Sequence, residues 1–311
     1  MQLDPQMKVI LDQFAAAGGQ PIHSMTPAEA RAAVDALIGA FKVEPKAIAK
    51  VEDRTIPGPD GDIPIRVYCP AGHGPFGVLI YFHGGGWVVG NVPAYDSVCR
   101  ELAYGSGCVT VSVEYRLGPE HKFPAAPEDC YAATKWIAAH APELQIDPDR
   151  IAVGGDSAGG NLAAVVSQMA RDRGGPKLAF QLLIYPATNC VSETPSQREF
   201  TEDGYILSRA DMDWFYGHYL NAGDKANPYA CPGLAKNLAN LPRAYVMTAE
   251  IDPLRDEGEA YAEALRSAGV TVNTHRFTGV CHGFIFWSGV LDKARQALAE
   301  CCAELRDAVG K

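Results

Sequence analysis

Short apolar runs recur along the chain and alternate with longer stretches of helical pattern. Ile63–Val67 alternates apolar and polar residues, as a half-exposed antiparallel strand does, and Thr271–Phe277 is predicted to form a late edge strand. Five other runs are almost continuously apolar, which is typical of strands covered on both faces of a parallel sheet. These are Gly77–Phe82, Cys108–Val113, Ile151–Gly155, Leu178–Tyr185 and Ala244–Glu250.

The stretches between these runs are predicted to be helices. They are Ala94–Tyr104, Pro124–His140, Ala158–Arg173, Gly258–Ala268 and a closing helix over Leu291–Ala308. Strand and helix follow one another through most of the chain, which predicts an α/β protein with a doubly wound, mostly parallel sheet flanked by helices. A chain of 311 residues is long enough for one such domain with a sizeable core.

Two regions depart from this alternation. Residues 1–45 are predicted to form two helices, the second opened by the capping box Thr26–Glu29 with proline at the first helical position. Residues 188–225 interrupt the sheet and contain another helix start at Ser208–Asp211. Both are too short to fold alone. We therefore expect them to pack together as a small helical cap over the catalytic core, residues 46–187 and 226–311, at the carboxyl edge of the sheet.

Composition and charge narrow the range of partners. Hydrophobic residues make up 47% of the chain and charged residues 21%, which is ordinary for a globular protein. The net charge of −10 repels phosphate backbones and anionic lipids, so neither nucleic acid nor a membrane is an expected partner. No apolar run is long enough to cross a bilayer. The histidines do not cluster, so no metal is expected, and no cofactor motif is present.

The nine cysteines form no CxxC pair, and an odd number cannot all pair internally. No apolar leader segment is visible near the N-terminus, since Asp12 and Gln13 interrupt the only candidate. These observations predict a cytoplasmic protein with reduced thiols, in which each cysteine packs as a small apolar residue.

The strongest chemical signal follows the predicted strand Ile151–Gly155. There Gly155–Gly159 reads Gly-Asp-Ser-Ala-Gly, and a helical pattern begins at once. A serine on such a sharp strand-to-helix turn has its hydroxyl exposed, and its neighbours one turn away must lack side chains. The helix amino terminus also favours developing negative charge. Ser157 is therefore the predicted nucleophile.

A glycine-rich segment, His83–Trp87, follows the predicted strand Gly77–Phe82. Consecutive glycines let backbone N–H groups approach a substrate closely, and such groups stabilise the oxyanion that forms during ester hydrolysis. Neither phosphate-binding glycine pattern is present, which disfavours a nucleotide site. We expect His83 to hold this loop in place and to take no part in the chemistry.

A serine nucleophile needs a base and an orienting carboxylate. Of the histidines considered, His282 alone lies on a plausible loop after the last strand. The carboxylate should follow the strand Ala244–Glu250, where Asp252 is preferred and Asp256 is the alternative. Asp256 stands where the N-cap of a helix belongs. The chain order Ser, Asp, His is that of α/β hydrolases.

The combined motifs resemble those of the hormone-sensitive-lipase-like (family IV) bacterial carboxylesterases. The matching segments are His83–Trp87, Tyr115–Glu120, Phe123–Ala125, Gly154–Gly160, Asp252–Gly258 and His282–Phe284. The resemblance implies the α/β-hydrolase fold, with a mostly parallel eight-stranded sheet and a small helical cap. It also implies Ser157, Asp252 and His282 as a catalytic triad, with the amides of Gly85, Gly86 and Ala158 as the oxyanion hole.

The expected function is a serine carboxylesterase that acts on short- to medium-chain esters through an acyl-enzyme. A set of aromatic residues is predicted to line its acyl pocket, namely Trp87, Trp214, Phe215, Tyr216 and Phe284. The same triad also serves amidases, deacetylases and acyltransferases, and these remain alternatives. A non-catalytic receptor of the same family is disfavoured because His282 is present. The 271–277 strand could pair with a second copy to form a homodimer.

Overall fold

The computed structural model describes residues 2–18, 20–40, 43–191, 193–201 and 204–310. Within these ranges eight strands form a single sheet in the order β1-β2-β4-β3-β5-β6-β7-β8. The strands are β1 (Lys50–Gly58), β2 (Gly61–Cys69), β3 (Phe76–Phe82), β4 (Val109–Val113), β5 (Ile146–Asp156), β6 (Phe180–Ile184), β7 (Arg243–Ile251) and β8 (Val272–Cys281). Strand β2 pairs antiparallel with β1 and β4, and all other neighbours are parallel.

Nine α-helices accompany this sheet in the described ranges. They are α1 (Pro5–Ala17), α2 (Pro27–Ala40), α3 (Asp96–Ser106), α4 (Ala125–Ala139), α5 (Ala158–Asp172), α6 (Pro195–Glu199), α7 (Arg209–Tyr219), α8 (Arg255–Ser267) and α9 (Asp292–Val309). The predicted α/β-hydrolase architecture is confirmed. None of these described helices is long and apolar enough to cross a membrane.

The sheet is covered on both faces, as its apolar strands predict. Successive residues of β3 alternate between two cores, because neighbouring side chains in a strand point to opposite faces. Val78 and Ile80 belong to the core that includes residues of α4, α5 and α8, whereas Leu79 and Tyr81 belong to the core that includes residues of α1, α3 and α9. Every residue of β3 is buried.

Strand β1 was not predicted. Its burial alternates between exposed and half-buried positions, and Ile56 is its only buried residue. It carries Glu52, Asp53 and Arg54 in succession, so its apolar signal is weak. A strand at the edge of a sheet needs only one hydrogen-bonded neighbour and one buried face. Pairing with β2 therefore forms β1 in spite of its weak apolar signal.

The N-terminal residues and the 188–225 insertion contact each other in part. The Trp214 indole in α7 donates a hydrogen bond to the Met25 carbonyl (3.1 Å), and Asp211 accepts hydrogen bonds from the His23 backbone and imidazole. Helix α1 lies elsewhere. Its Met7 and Ile10 pack into the core beside β8 and α9. The hydrogen bonds described above join the insertion to the turn before α2.

The cysteine prediction is wrong for one pair. Cys190 and Cys231 form a disulfide, with their Cα atoms 5.9 Å apart, whereas the other seven cysteines are free. The two residues are 41 positions apart and belong to no motif. Only the folded path of the insertion, which returns to the core near Cys231, brings them together.

Candidate active site

Ser157 occupies the sharp turn between β5 and α5. Its backbone φ of +55° and ψ of −118° lie outside the usual regions for a residue with a side chain. The turn is held by a hydrogen bond from the Ser157 amide to the Ile184 carbonyl (2.8 Å). A Cβ atom at Gly159 would collide with the Phe82 carbonyl oxygen, which explains the glycine there. The serine side chain is left partly exposed at the edge of the sheet.

The three residues of the predicted triad lie in hydrogen-bonding contact. Ser157 Oγ is 2.9 Å from His282 Nε2, and His282 Nδ1 is 2.7 Å from Asp252 Oδ2. The other carboxylate oxygen of Asp252 accepts a hydrogen bond from the Leu254 amide (2.8 Å), and Asp252 is fully buried. Because Nδ1 faces a carboxylate, the neutral imidazole carries its proton there and leaves Nε2 free to accept the serine proton.

Asp256 has different partners. Its carboxylate accepts hydrogen bonds from the Ser196 amide (2.7 Å) and from Arg255 Nε (2.8 Å). It does not cap α8, because the N-cap position belongs to Leu254 and Asp256 lies within the first helical turn. The expected N-cap role is thus wrong. The residue instead joins α8 to α6 of the insertion.

The glycine loop after β3 lies against the turn that carries Ser157, since a Cβ atom at Gly84 would collide with Asp156. Gly85 and Gly86 have φ values of +109° and +57°, which glycine adopts without strain. The amides of Gly85, Gly86 and Ala158 donate no hydrogen bond to any group in the described part of the chain. Both glycines are partly exposed. Three unpaired donors near one hydroxyl can bind an oxyanion.

His83 is fully buried beneath this loop. Its Nδ1 lies 2.7 Å from the Gly84 carbonyl, and its ring stacks on Tyr115 at 4.3 Å between centroids. Burial lowers the pKa of His83 to about 4, so its imidazole is neutral at physiological pH. The ring therefore supports the loop, in line with the structural role expected for it.

Two of the predicted pocket residues lie next to the glycine loop. The Phe215 ring of α7 lies against Gly86, so closely that a Cβ atom at Gly86 would collide with it. Trp87 is buried, and its indole stacks on Tyr219 with ring centroids 4.5 Å apart. Phe215, in α7 of the 188–225 insertion, is thus the predicted aromatic that lies directly on the loop.

The other three predicted aromatics have different surroundings. Trp214 binds the N-terminal segment through Met25. Tyr216 lines a small cavity of about 130 Å³ that also includes Asn189 and Arg209 but no triad residue. Phe284 is fully buried between Tyr185 and Phe277. Phe284 packs as a core residue here, because the apolar turn that contains it folds inward.

Two residues beside the triad were not predicted. Tyr185 has a positive φ of +33° and is buried, and its ring lies 4.7 Å from the His282 ring. No sequence signal identified it. Asp156 immediately precedes the nucleophile, and burial raises the pKa of its carboxyl to about 6. Its place at the variable position of the GxSxG motif could have drawn attention to it.

The described residues contain no group of three or more His, Cys, Asp or Glu side chains that could hold a metal ion.

Comparisons with known protein families and sequences give extensive matches. A family model described as the alpha/beta hydrolase fold matches residues 79–286. The carboxylic ester hydrolase LipN of Mycobacterium tuberculosis is 45% identical over 248 residues, which cover 78% of this chain and 66% of LipN. The carboxylesterase NlhH of the same organism is 41% identical over 319 residues, covering 99% of this chain and 96% of NlhH.

The fold comparison gives the same result. The structure of a hyperthermophilic esterase from the archaeon Pyrobaculum calidifontis superposes with a TM-score of 0.94 and 45% sequence identity, over 99% of each chain. A matching family model, together with relatives above 40% identity over nearly the whole chain, is sufficient to assign the chain to a family. The chain belongs to the α/β-hydrolase family, within its hormone-sensitive-lipase-like branch.

Proposed function

We propose that this protein is a serine carboxylesterase that hydrolyses small carboxylic esters. The observation that carries the proposal is the continuous relay from Ser157 Oγ through His282 to Asp252, with distances of 2.9 and 2.7 Å. The glycine loop and the start of α5, next to Ser157 in the fold and in the chain, supply three backbone amides that have no acceptor among the described residues. The names of LipN and NlhH, both ester hydrolases, support the same reaction class.

In the first half-reaction, Ser157 Oγ attacks the ester carbonyl carbon while His282 Nε2 takes the hydroxyl proton. Asp252 accepts the Nδ1 hydrogen bond and stabilises the imidazolium. The amides of Gly85, Gly86 and Ala158 bind the oxygen that becomes negative. When the tetrahedral intermediate collapses, the bond to the alcohol oxygen breaks and His282 returns its proton to that oxygen. An acyl-enzyme and a free alcohol result.

In the second half-reaction, water attacks the acyl-enzyme and gives a proton to His282. The intermediate collapses, the serine oxygen is reprotonated and the carboxylic acid leaves. The water molecule supplies one hydroxyl and one proton, so the cycle needs no cofactor.

Short to medium acyl chains are the proposed substrates. Phe215 closes one side of the space above Gly86, and the buried Trp87 lies next to it. This packing leaves limited room for an acyl chain close to Ser157.

Replacing Ser157 with alanine tests the proposal. We expect kcat/KM for p-nitrophenyl butyrate to fall by roughly 10⁴-fold or more, because no other hydroxyl takes the place of the nucleophile. Circular dichroism and the thermal midpoint should remain close to those of the wild type. A folded Ser157→Ala enzyme with wild-type activity would contradict the proposal.

A further inference from the structure

The residue before the nucleophile is a buried carboxylate that has no cationic hydrogen-bond partner among the described residues. Asp156 is 2% exposed and accepts three hydrogen bonds, all from neutral donors. These are the Tyr81 hydroxyl (2.8 Å) and the Gly84 amide (3.0 Å) on Oδ1, and the Tyr95 hydroxyl (3.1 Å) on Oδ2. Removing a carboxylate from water is unfavourable, and burial raises the pKa of Asp156 to about 6. A hydrophobic side chain would avoid this cost.

All three donors belong to one segment of the chain. Tyr81 lies at the end of β3, Gly84 is in the glycine loop, and Tyr95 is in the short 3-10 turn that follows the loop. The acceptor belongs to the other segment, two residues before Ala158. The oxyanion hole proposed above needs both segments, because Gly85 and Gly86 come from one and Ala158 from the other.

The contact is also close. A Cβ atom at Gly84 would collide with Asp156 Oδ2, so the backbone of the loop lies directly on this carboxylate. Asp156 accepts a hydrogen bond from the Gly84 amide, and the next amide along the chain is that of Gly85. A small shift of Gly84 would therefore change the direction of the next two N–H groups, and oxyanion stabilisation depends strongly on such directions.

We infer that Asp156 is a positioning residue for the oxyanion hole, which it sets by holding the amide of Gly84 and the hydroxyl of Tyr95 against the nucleophile turn. This inference rests on the proposed function, since it assigns how one part of that site is held. Asp156 touches neither the substrate nor the reacting atoms. Its effect is carried by the backbone of residues 84–86.

A substrate pair that depends unequally on the oxyanion hole provides the test. Phenyl acetate develops charge on oxygen, which accepts strong hydrogen bonds. In the reaction of O-phenyl thionoacetate the negative charge develops on sulfur, which is a weak hydrogen-bond acceptor. A misaligned oxyanion hole therefore slows the oxygen ester much more than the sulfur analogue. A general loss of folded enzyme, or a displaced Ser157 or His282, slows both equally.

We expect Asp156→Ala to lower kcat/KM for phenyl acetate by about 10²-fold, the usual cost of losing one oxyanion donor, and to lower the oxygen-to-sulfur rate ratio with it. Asp156→Asn should largely preserve the ratio, because its amide oxygen can still accept from Gly84 and Tyr81. Tyr95→Phe removes only one hydroxyl and should lower the ratio in the same direction by a smaller factor.

The matched control is Tyr261→Phe, which removes a buried hydroxyl that contacts Gln168 far from the site. Its ratio should equal that of the wild type. If Asp156→Ala does not fold, Tyr95→Phe decides. An unchanged ratio in active Asp156→Ala or Tyr95→Phe enzyme would overturn the inference alone. Full activity in Ser157→Ala would instead remove the proposed function first, so the two failures are distinguishable.

Discussion

Glu257 is a buried carboxylate in the first turn of α8, five residues after Asp252. It accepts the amides of Thr188 (2.7 Å) and Asn189 (3.0 Å) and the side-chain amide of Gln197 (2.8 Å). Burial, together with the nearby charge of Asp252, raises its pKa from an ordinary value of 4.5 to about 8. This residue thus joins the segment that carries Asp252 to the start of the 188–225 insertion.

The raised pKa of Glu257 predicts a pH-dependent loss of stability. Between pH 4.5 and 8 the folded state retains a proton that the unfolded state has released, so the free energy of unfolding falls as pH rises through this window. Glu257→Gln lacks this titration. Its stability relative to the wild type should therefore rise by on the order of 1 kcal/mol or more from pH 5 to pH 8.

Thermal unfolding of both proteins across this pH range measures the difference. Glu29→Gln is a suitable control, because Glu29 is exposed on α2 and its pKa is lowered, not raised, by its hydrogen bonds to Thr26. A stability difference between wild type and Glu257→Gln that stays constant from pH 5 to pH 8 would contradict the account.

At the scale of elements, helix α7 connects the insertion to the glycine loop. It begins with a capping box in which Ser208 and Asp211 satisfy each other's backbone amides. Asp211 and Trp214 bind the N-terminal segment at His23 and Met25, and Phe215 lies against Gly86. The helix is thus fixed on one side and covers the proposed acyl site on the other.

Phe215→Ala should shift the acyl-chain preference upward. Removing the ring opens space beside Gly86, so longer chains should gain in kcat/KM relative to acetate. A series of p-nitrophenyl esters from acetate to palmitate measures this, and the wild type should favour the short and medium members.

Gly217→Ala is the matched control for this experiment. It lies on the exposed side of α7, where an added methyl group meets no other atom within 4 Å, and its ester preference should match the wild type. An unchanged order of esters in Phe215→Ala would show that this ring does not limit the acyl site.

The elements that were predicted from sequence are those whose signals are local. Strands β3 and β7 and residues 151–155 of β5 are nearly continuous apolar runs, and the capping box at Thr26 marks the start of α2. Strand β1 was missed because its charged residues hide the alternation of apolar and polar positions. Its pairing with β2 determines that this segment forms a strand. The position of Phe284 and the Cys190–Cys231 pair depend on tertiary packing, which no local pattern reports.

At the scale of the whole molecule, sheet topology assembles the site. Strands β3, β5, β7 and β8 are parallel, so the segments after their carboxyl ends meet at one edge. These segments contribute the glycine loop, Ser157, Asp252 and His282 respectively. The motifs, each placed directly after a predicted strand, therefore predicted which residues meet. They did not predict the packing of Asp156 and Tyr185, because that depends on side chains from several strands.

Strand β8 forms one edge of the sheet, at the end opposite β1. Pairing of two copies through this edge stays a prediction.

The central claim is that Ser157 is an activated nucleophile, and covalent labelling tests it most directly. The protein is treated with diethyl p-nitrophenyl phosphate, its intact mass is measured, and the modified peptide is sequenced. The account predicts one diethylphosphoryl group per chain, on Ser157, with no adduct in Ser157→Ala and much slower labelling in His282→Ala. Modification of a different residue, or labelling of Ser157→Ala at the wild-type rate, would contradict it.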